Sequence, residues 1–297
     1  DVQIEINTDT SLNGNTDEWK NYPDGIRIED VSGDTYNAHV MIIRDPSKVY
    51  MATSSETFSK DKPGLRINEA IAKNGRARII LSTGASQFET LEHLVKADID
   101  WSKVEMFHLD EYVDLPETHI ASFRKYLKER FVAKTNVGKA YFVDGTAEGI
   151  AALTEEIRKA PIDVGLIGIG RNAHIAFNDP PADFDTKVAY LVVNLDTACR
   201  NQQVGEGWFA TIDDVPKQAV SMSVYQIMQC EHIISAVPHA EKSWAVANTL
   251  NHELTNLVPG TMLKTHKNFQ LFVDANSYAE ADKIVTLVGE TTVEDYR

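Results

Sequence analysis

Cysteine is scarce. The 297 residues hold two, Cys199 and Cys230, and their spacing suits neither a disulfide framework nor a metal site. That scarcity excludes small disulfide-stapled folds and fits a reduced cytoplasm. Long apolar runs are missing too. No stretch reaches about 18 apolar residues and no basic-plus-apolar leader opens the chain, so neither a membrane span nor a signal peptide is expected. Positive charge is short: 29 Lys and Arg against 44 Asp and Glu leave a formal charge of −15. Such a balance argues against nucleic acid as partner, because affinity there rests on phosphate neutralisation. A small anion remains allowed, since local amides and one or two cations can hold it. Nine His without ligand spacing give no case for a metal. The signatures G-x-S-x-G, Walker A and H-E-x-x-H do not occur, so serine hydrolase, P-loop NTPase and zincin chemistries lack their marks.

What the chain does have is a 43% hydrophobic composition, enough for a large core, and a repeated strand–helix rhythm. Residues 1–45 are polar, with short β-like pieces such as Val2–Ile6, and read as an appended arm or small β layer. Residues 46–297 read as one α/β domain. Strands are expected at Val49–Ala52, Arg78–Leu81, Val104–Leu109, Ala140–Val143, Ile162–Ile167, Val188–Leu195, Ala219–Val224, Glu231–Val237 and Phe269–Val273. Helices are expected near Pro63–Ala72, from Gln87, around Phe123–Phe131, at Ala147–Ala160, Ala240–Leu250 and Ser277–Leu287. This alternation implies a three-layer αβα fold around a mostly parallel, Rossmann-like sheet.

Chemistry concentrates where strands end. The apolar run Val164–Ile167 leads into Gly168 and Gly170, then within ten residues come Arg171, Asn172, His174, Asn178 and Asp179 before Pro180-Pro181. A buried strand that empties into glycines and a titratable His is how open α/β sheets build sites at their carboxyl edge. Gly168 to Ala173 also matches the dinucleotide pattern G-x-G-x-x-A, but the two prolines leave no helix to follow it, so a nicotinamide cofactor is not expected. Ser82-Thr83-Gly84-Ala85-Ser86 follows another strand, and Ser86 with Glu89 fits a capping box. Free amides and three hydroxyls there would suit an anion, although a plain glycine turn reads the same way. Asp110 and Glu111 sit together at a strand end, where like charge raises a carboxyl pKa toward useful acid–base range; the alternative is a turn cap. Lys242 falls in the first turn of a helix, where the dipole disfavours it, a hint of an anionic partner against the plainer reading of a solvated Lys. Anion binding plus proton transfer without a cofactor suits a sugar-phosphate isomerase type of reaction.

Three of these stretches, Ser82–Ser86, His108–Pro116 and Gly168–Pro180, closely resemble the glucosamine-6-phosphate deaminase (isomerase) family in order and spacing. The likeness covers roughly residues 47–275. The related 6-phosphogluconolactonases share the fold, but His174-Ile175-Ala176-Phe177-Asn178 favours the deaminase side. The resemblance implies that glucosamine 6-phosphate and water become fructose 6-phosphate and ammonia. It implies that Asp110 moves a proton between C2 and C1, and that His174 opens the pyranose ring by protonating its oxygen. It further implies that Thr83, Gly84, Ala85 and Ser86 form the phosphate loop, with Lys242 as a phosphate-binding Lys and no cofactor.

The chain departs from that family at several points. Asn172 stands where the best-known members carry the Asp that orients and charges the His, Asp179 replaces a Glu, and Ala173 a Gly. A family Arg that grips phosphate has no secure counterpart; Arg200 lies nearby. Two further readings therefore stay open: a lactonase or isomerase for another phosphosugar, and a non-catalytic sugar-phosphate sensor kept alive by Asn172. Association into a homo-oligomer is left open as well.

Overall fold

The strand Ala77–Leu81 is buried at every position, as a strand covered on both faces must be. Its side chains alternate: Ile80 joins one apolar core, whereas Ile79 and Leu81 join another. The computed structural model describes residues 39–43, 63–284 and 293–296.

The strands run in chain order as β1 (His39–Ile43), β2 (Ala77–Leu81), β3 (Val104–His108), β4 (Asp110–Tyr112), β5 (Lys139–Tyr141), β6 (Ile162–Leu166), β7 (Tyr190–Asn194), β8 (Gln218–Met222), β9 (Cys230–Ala236), β10 (Phe269–Asp274) and β11 (Val293–Tyr296). The helices are α1 (Pro63–Asn74), α2 (Phe88–Leu94), α3 (Phe123–Arg130), α4 (Ala147–Ile157), α5 (Thr197–Gly205), α6 (Val224–Ile227), α7 (Ser243–Asn251) and α8 (Ala281–Ile284). Eight strands form one sheet in the order β11-β1-β10-β9-β6-β2-β3-β5, and each of its pairings is parallel. One face is packed by Ile67 of α1, Leu91 and Leu94 of α2, and Leu127 of α3. The other carries Leu153 and Ile157 of α4 and Val246 and Leu250 of α7. This is the expected three-layer αβα architecture around a parallel sheet.

The expectation for the first 45 residues needs amending at its end. His39–Ile43 pairs with β10 and β11 inside the main sheet, so these five residues belong to the sheet and not to a separate layer. Residues 1–38 and the strand expected at Val49–Ala52 lie outside the described residues. Of the helix expected at Ser277–Leu287, the described part is Ala281–Ile284. The β-runs expected near 190 and 220 exist but leave the main sheet: β7 and β8 pair antiparallel with each other and β8 with β4, forming a three-stranded flap. Beneath it Tyr112, Phe177, Leu195 and Phe209 make a small third core.

The order of β-strands sets the place of the site. From β2 the chain steps outward to β3 and β5, then returns to place β6 on the other side of β2. Loops leaving the carboxyl ends of β2 and β6 therefore diverge and leave a crevice, as at any such switch point. Ser82 N–H bonds the Leu166 carbonyl at 2.9 Å, which fixes the mouth of that crevice.

Candidate active site

A cavity of about 390 Å³ opens at this edge of the sheet. It collects the loops that follow four adjacent strands, β3, β2, β6 and β9. Ser82, Thr83, Gly84, Ala85, Ser86, Asp110, Gly168, Gly170, His174 and Lys242 all line it. Residues as far apart as 82 and 242 thus share one space.

The loop after β2 turns through Gly84, whose φ of +105° is open to glycine and strained for other residues. The turn spends its own bond on Gln87 N–H to the Gly84 carbonyl. Among the described residues the N–H groups of Thr83, Gly84, Ala85 and Ser86 are left without a main-chain acceptor. Gln87 ties the loop to β9 through the Ala236 carbonyl, and the Tyr126 hydroxyl braces it at the Gly84 carbonyl. The expected capping box is absent. Residues 85–87 form a 3-10 turn, α2 starts at Phe88, and Ser86 Oγ accepts from the Gln87 side chain instead of capping a helix. The donors of this loop are therefore main-chain amides of a braced turn. The Ser82 hydroxyl, buried and unpaired, adds to them.

Asp110 and Glu111 divide in role. Asp110 lines the cavity, is 6% exposed, and its Oδ1 has no hydrogen-bond partner. Burial, and after it the charge of Glu111, pushes its carboxyl up to about 8. Glu111 turns the other way. Its carboxylate accepts from the N–H groups of Tyr112 (2.9 Å), Phe123 (3.3 Å) and Arg124 (2.8 Å) and from Ser122 Oγ (2.9 Å). It clamps the start of α3 and, unlike Asp110, is not among the residues that line the cavity, where sequence reading had grouped the two as catalytic candidates.

The loop after β6 is wound so that His174 reaches the cavity. Gly170 N–H bonds the His174 carbonyl at 2.8 Å, and a Cβ on Gly170 would fall 2.2 Å from the imidazole. Ala173 and Ala176 take positive φ values of 64° and 52°, an arrangement that costs an L-residue energy and explains why a glycine suits position 173. Asn178 pins the far end of the loop to β8 and the loop itself, donating to the carbonyls of Met222 (2.9 Å) and Ile175 (2.8 Å). Next to it, Asp179 Oδ1 lies 3.0 Å from His174 Nδ1, close in distance though off line for a good hydrogen bond. Asn172 makes its hydrogen bonds away from the ring. It donates to Asp179 Oδ1 at 2.9 Å and accepts from the His174 main-chain N–H at 3.2 Å. The charged neighbour of the imidazole is thus Asp179, with Asn172 behind it. Burial alone would raise the Asp179 carboxyl; the contact with His174 leads the opposing influences, joined by Asn172 and Cys199, and holds it below the usual range.

Lys242 follows β9 and donates to the Ile169 carbonyl at 3.0 Å. Burial pushes its ammonium down, and the nearby Glu206 pulls part of the way back. Arg200, named from sequence as a loose candidate for the phosphate site, bonds the Ile212 carbonyl through its guanidinium and is not among the lining residues. Sequence reasoning assigned no role to Tyr126, Arg171, Gln203, Glu206 or Trp208, which also line the cavity. Arg171 sat within the quoted motif. Tyr126 lies on a helix expected from its apolar spacing, whereas Gln203, on α5, and Glu206 and Trp208 just after it fall in a stretch for which no element was expected. Among the described residues no group of three or more His, Cys, Asp or Glu could hold a metal ion, and no helix is long and apolar enough to cross a membrane.

Comparison with known proteins shows the family and the fold. A family model described as glucosamine-6-phosphate isomerases/6-phosphogluconolactonase matches residues 60–272. A glucosamine-6-phosphate deaminase of Streptococcus uberis is 31% identical over 220 residues, 73% of this chain and 92% of the relative. The deaminase of Staphylococcus epidermidis is 34% identical over 216 residues, 69% and 87% of the two chains. Among solved structures, a monomeric glucosamine-6-phosphate deaminase superposes with a TM-score of 0.70 at 23% identity, covering 82% of this chain and 99% of the other. A 6-phosphogluconolactonase from Shewanella baltica gives 0.64 at 18% identity, covering 80% and 98%; at these identities the two speak for the fold alone. The chain belongs to the glucosamine-6-phosphate isomerase/6-phosphogluconolactonase family.

Proposed function

We propose that this protein converts glucosamine 6-phosphate and water to fructose 6-phosphate and ammonia. The observation that carries the reading is the shared cavity of Asp110, whose Oδ1 is buried and unpaired, and His174, which is backed by the Asp179 carboxylate. The curated relatives named as deaminases support the same substrate.

In this reading the phosphoryl end rests on the amides of residues 83–86 with Lys242, and the sugar extends toward Asp110 and His174. His174 delivers a proton to the ring oxygen and opens the pyranose, while Asp179 compensates the charge on the imidazole. Asp110 then takes the C2 proton and returns it to C1, which leaves an imine at C2. Water adds there and ammonia departs. A group that must both accept and return a proton works best with a pKa near the working pH, and the burial of Asp110 moves it that way. The test is ammonia release by the purified protein from glucosamine 6-phosphate, with 6-phosphogluconolactone as comparison substrate. Ammonia release is expected; turnover of the lactone alone, or of neither compound, would refute the reading.

A further inference from the structure

We propose that Arg171 is a second anion-binding cation of this cavity, held in reserve by an exchangeable ion pair with Glu206. The proposal rests on the phosphosugar reading above and deepens it by naming the residue that completes the charge of the phosphate site.

Among the described residues, Lys242 and Arg171 supply the Lys and Arg side chains in the cavity wall. A phosphate monoester carries about −1.5 to −2 near neutrality, so one ammonium leaves it undercompensated. One of the three donors of Lys242 moreover goes to the Ile169 carbonyl. Arg171 stands two residues beyond that carbonyl, on the same loop, and close enough that its charge acts on Lys242. It also follows Gly170, whose backbone is packed under the His174 ring, so its anchor point is fixed relative to the imidazole.

The guanidinium itself is loosely held. It is 46% exposed and its ion pair with Glu206 Oε1 spans 3.6 Å, longer than a hydrogen bond. Glu206 does not depend on it. Oε1 already accepts from Gln202 Nε2 at 2.8 Å, and Oε2 from Trp208 Nε1 at 3.2 Å. The carboxylate therefore stays in place when the arginine leaves, and breaking a half-exposed pair costs little. A phosphate offers the guanidinium the planar, two-bond match that this carboxylate does not. Glu206 then acts as a competitor that yields to a stronger anion.

The experiment measures inorganic phosphate binding by calorimetry, and KM and kcat for glucosamine 6-phosphate, in wild type, Arg171→Ala, Arg171→Lys, Glu206→Gln and the Arg171→Ala/Glu206→Gln double variant. Loss of a charge-assisted contact should weaken phosphate binding and raise KM about 10–100-fold in Arg171→Ala, with kcat moving far less. Arg171→Lys should recover part of that loss. Glu206→Gln should tighten phosphate binding about 2–5-fold by removing the competitor, and the gain should shrink in the double variant. Equal phosphate affinity in wild type and Arg171→Ala overturns the assignment and leaves the reaction standing. So does a Glu206→Gln change that is the same with or without Arg171. Wild type that binds phosphate through Arg171 but releases no ammonia removes the reaction and supports the anion site, whereas wild type that binds no phosphate overturns the anion site, and ammonia release alone decides the reaction.

Discussion

Asp110→Asn should make the protein more stable, and increasingly so as pH rises. Asp110 is a buried carboxyl with an unpaired oxygen, and its pKa is raised from 3.8 to about 8. Below pH 4 the folded and unfolded chains both hold the proton, and the group costs nothing. Between about 4 and 8 the unfolded chain releases the proton while the folded one retains it, so stability falls as pH rises through that window. At pH 7 roughly three units of that window have been crossed, which at ~1.36 kcal/mol each is a ceiling of about 4 kcal/mol. The amide of Asn is nearly isosteric and carries no charge at any pH, so it escapes this cost. Urea unfolding of wild type and Asp110→Asn at fixed ionic strength from pH 5 to 8.5 reads it directly. The gap between the two should be about 1–2 kcal/mol at pH 5, grow toward ~4 kcal/mol at pH 7 and level off above pH 8, with equal m-values. The same variant should lose about 10²–10⁴ in turnover if the carboxyl shuttles the proton. A gap that is flat with pH, or a variant less stable than wild type at pH 8, would refute the assignment of a buried, proton-holding carboxyl.

Glu111→Gln should do the reverse of Asp110→Asn, because it breaks a carboxylate that accepts from three main-chain N–H groups and Ser122; the expected cost is about 2–4 kcal/mol in urea unfolding at pH 7, with α3 the first element to lose amide protection. Gly170→Ala puts a methyl 2.2 Å from the His174 ring, so turnover should fall about 10²-fold or more while thermal stability moves only slightly. Asn172→Asp replaces a donor 2.9 Å from Asp179 with a second carboxylate, which should favour the protonated imidazole and shift the pH–activity profile upward by about 0.5–1 unit; an unshifted profile would mean that residue 172 is not electrically coupled to the site.

Much of this was legible because strands covered on both faces announce themselves. Val164–Ile167 and Ile79–Leu81 are apolar without alternation, and the glycines, hydroxyls and titratable groups behind them lie where a parallel sheet keeps its crevice. What escaped depends on pairing between distant segments. Residues 39–43 join the sheet through partners at 270–274 and 293–296, and no local pattern reports that. Asp110 and Glu111 are neighbours with identical sequence credentials. Which one faces the cavity is settled by β4, whose alternation sends one side chain to each side, and β4 exists only because β8 pairs with it. Ser86 and Glu89 had the spacing of a capping box, but the tight 3-10 turn shaped by Gly84 moved the helix start to Phe88.

The imidazole's charge partner shows how such a site tolerates change. With Asn at 172, the loop carries no carboxylate at the position expected to charge His174, yet the ring still has one 3.0 Å away in Asp179. Asp is a short side chain for that reach, and it succeeds because its backbone is held close: Asn178, the residue before it, is tied by two main-chain acceptors and by contact with Ser221. Asn172 then contributes a donor that fixes the carboxylate in place, and its lack of charge spares the pocket a second buried anion. Two carboxylates at that separation would each raise the other's pKa, whereas the Asn172 donor helps to hold the Asp179 carboxyl below its usual range. With Asn at 172, the carboxylate beside the imidazole is that of Asp179.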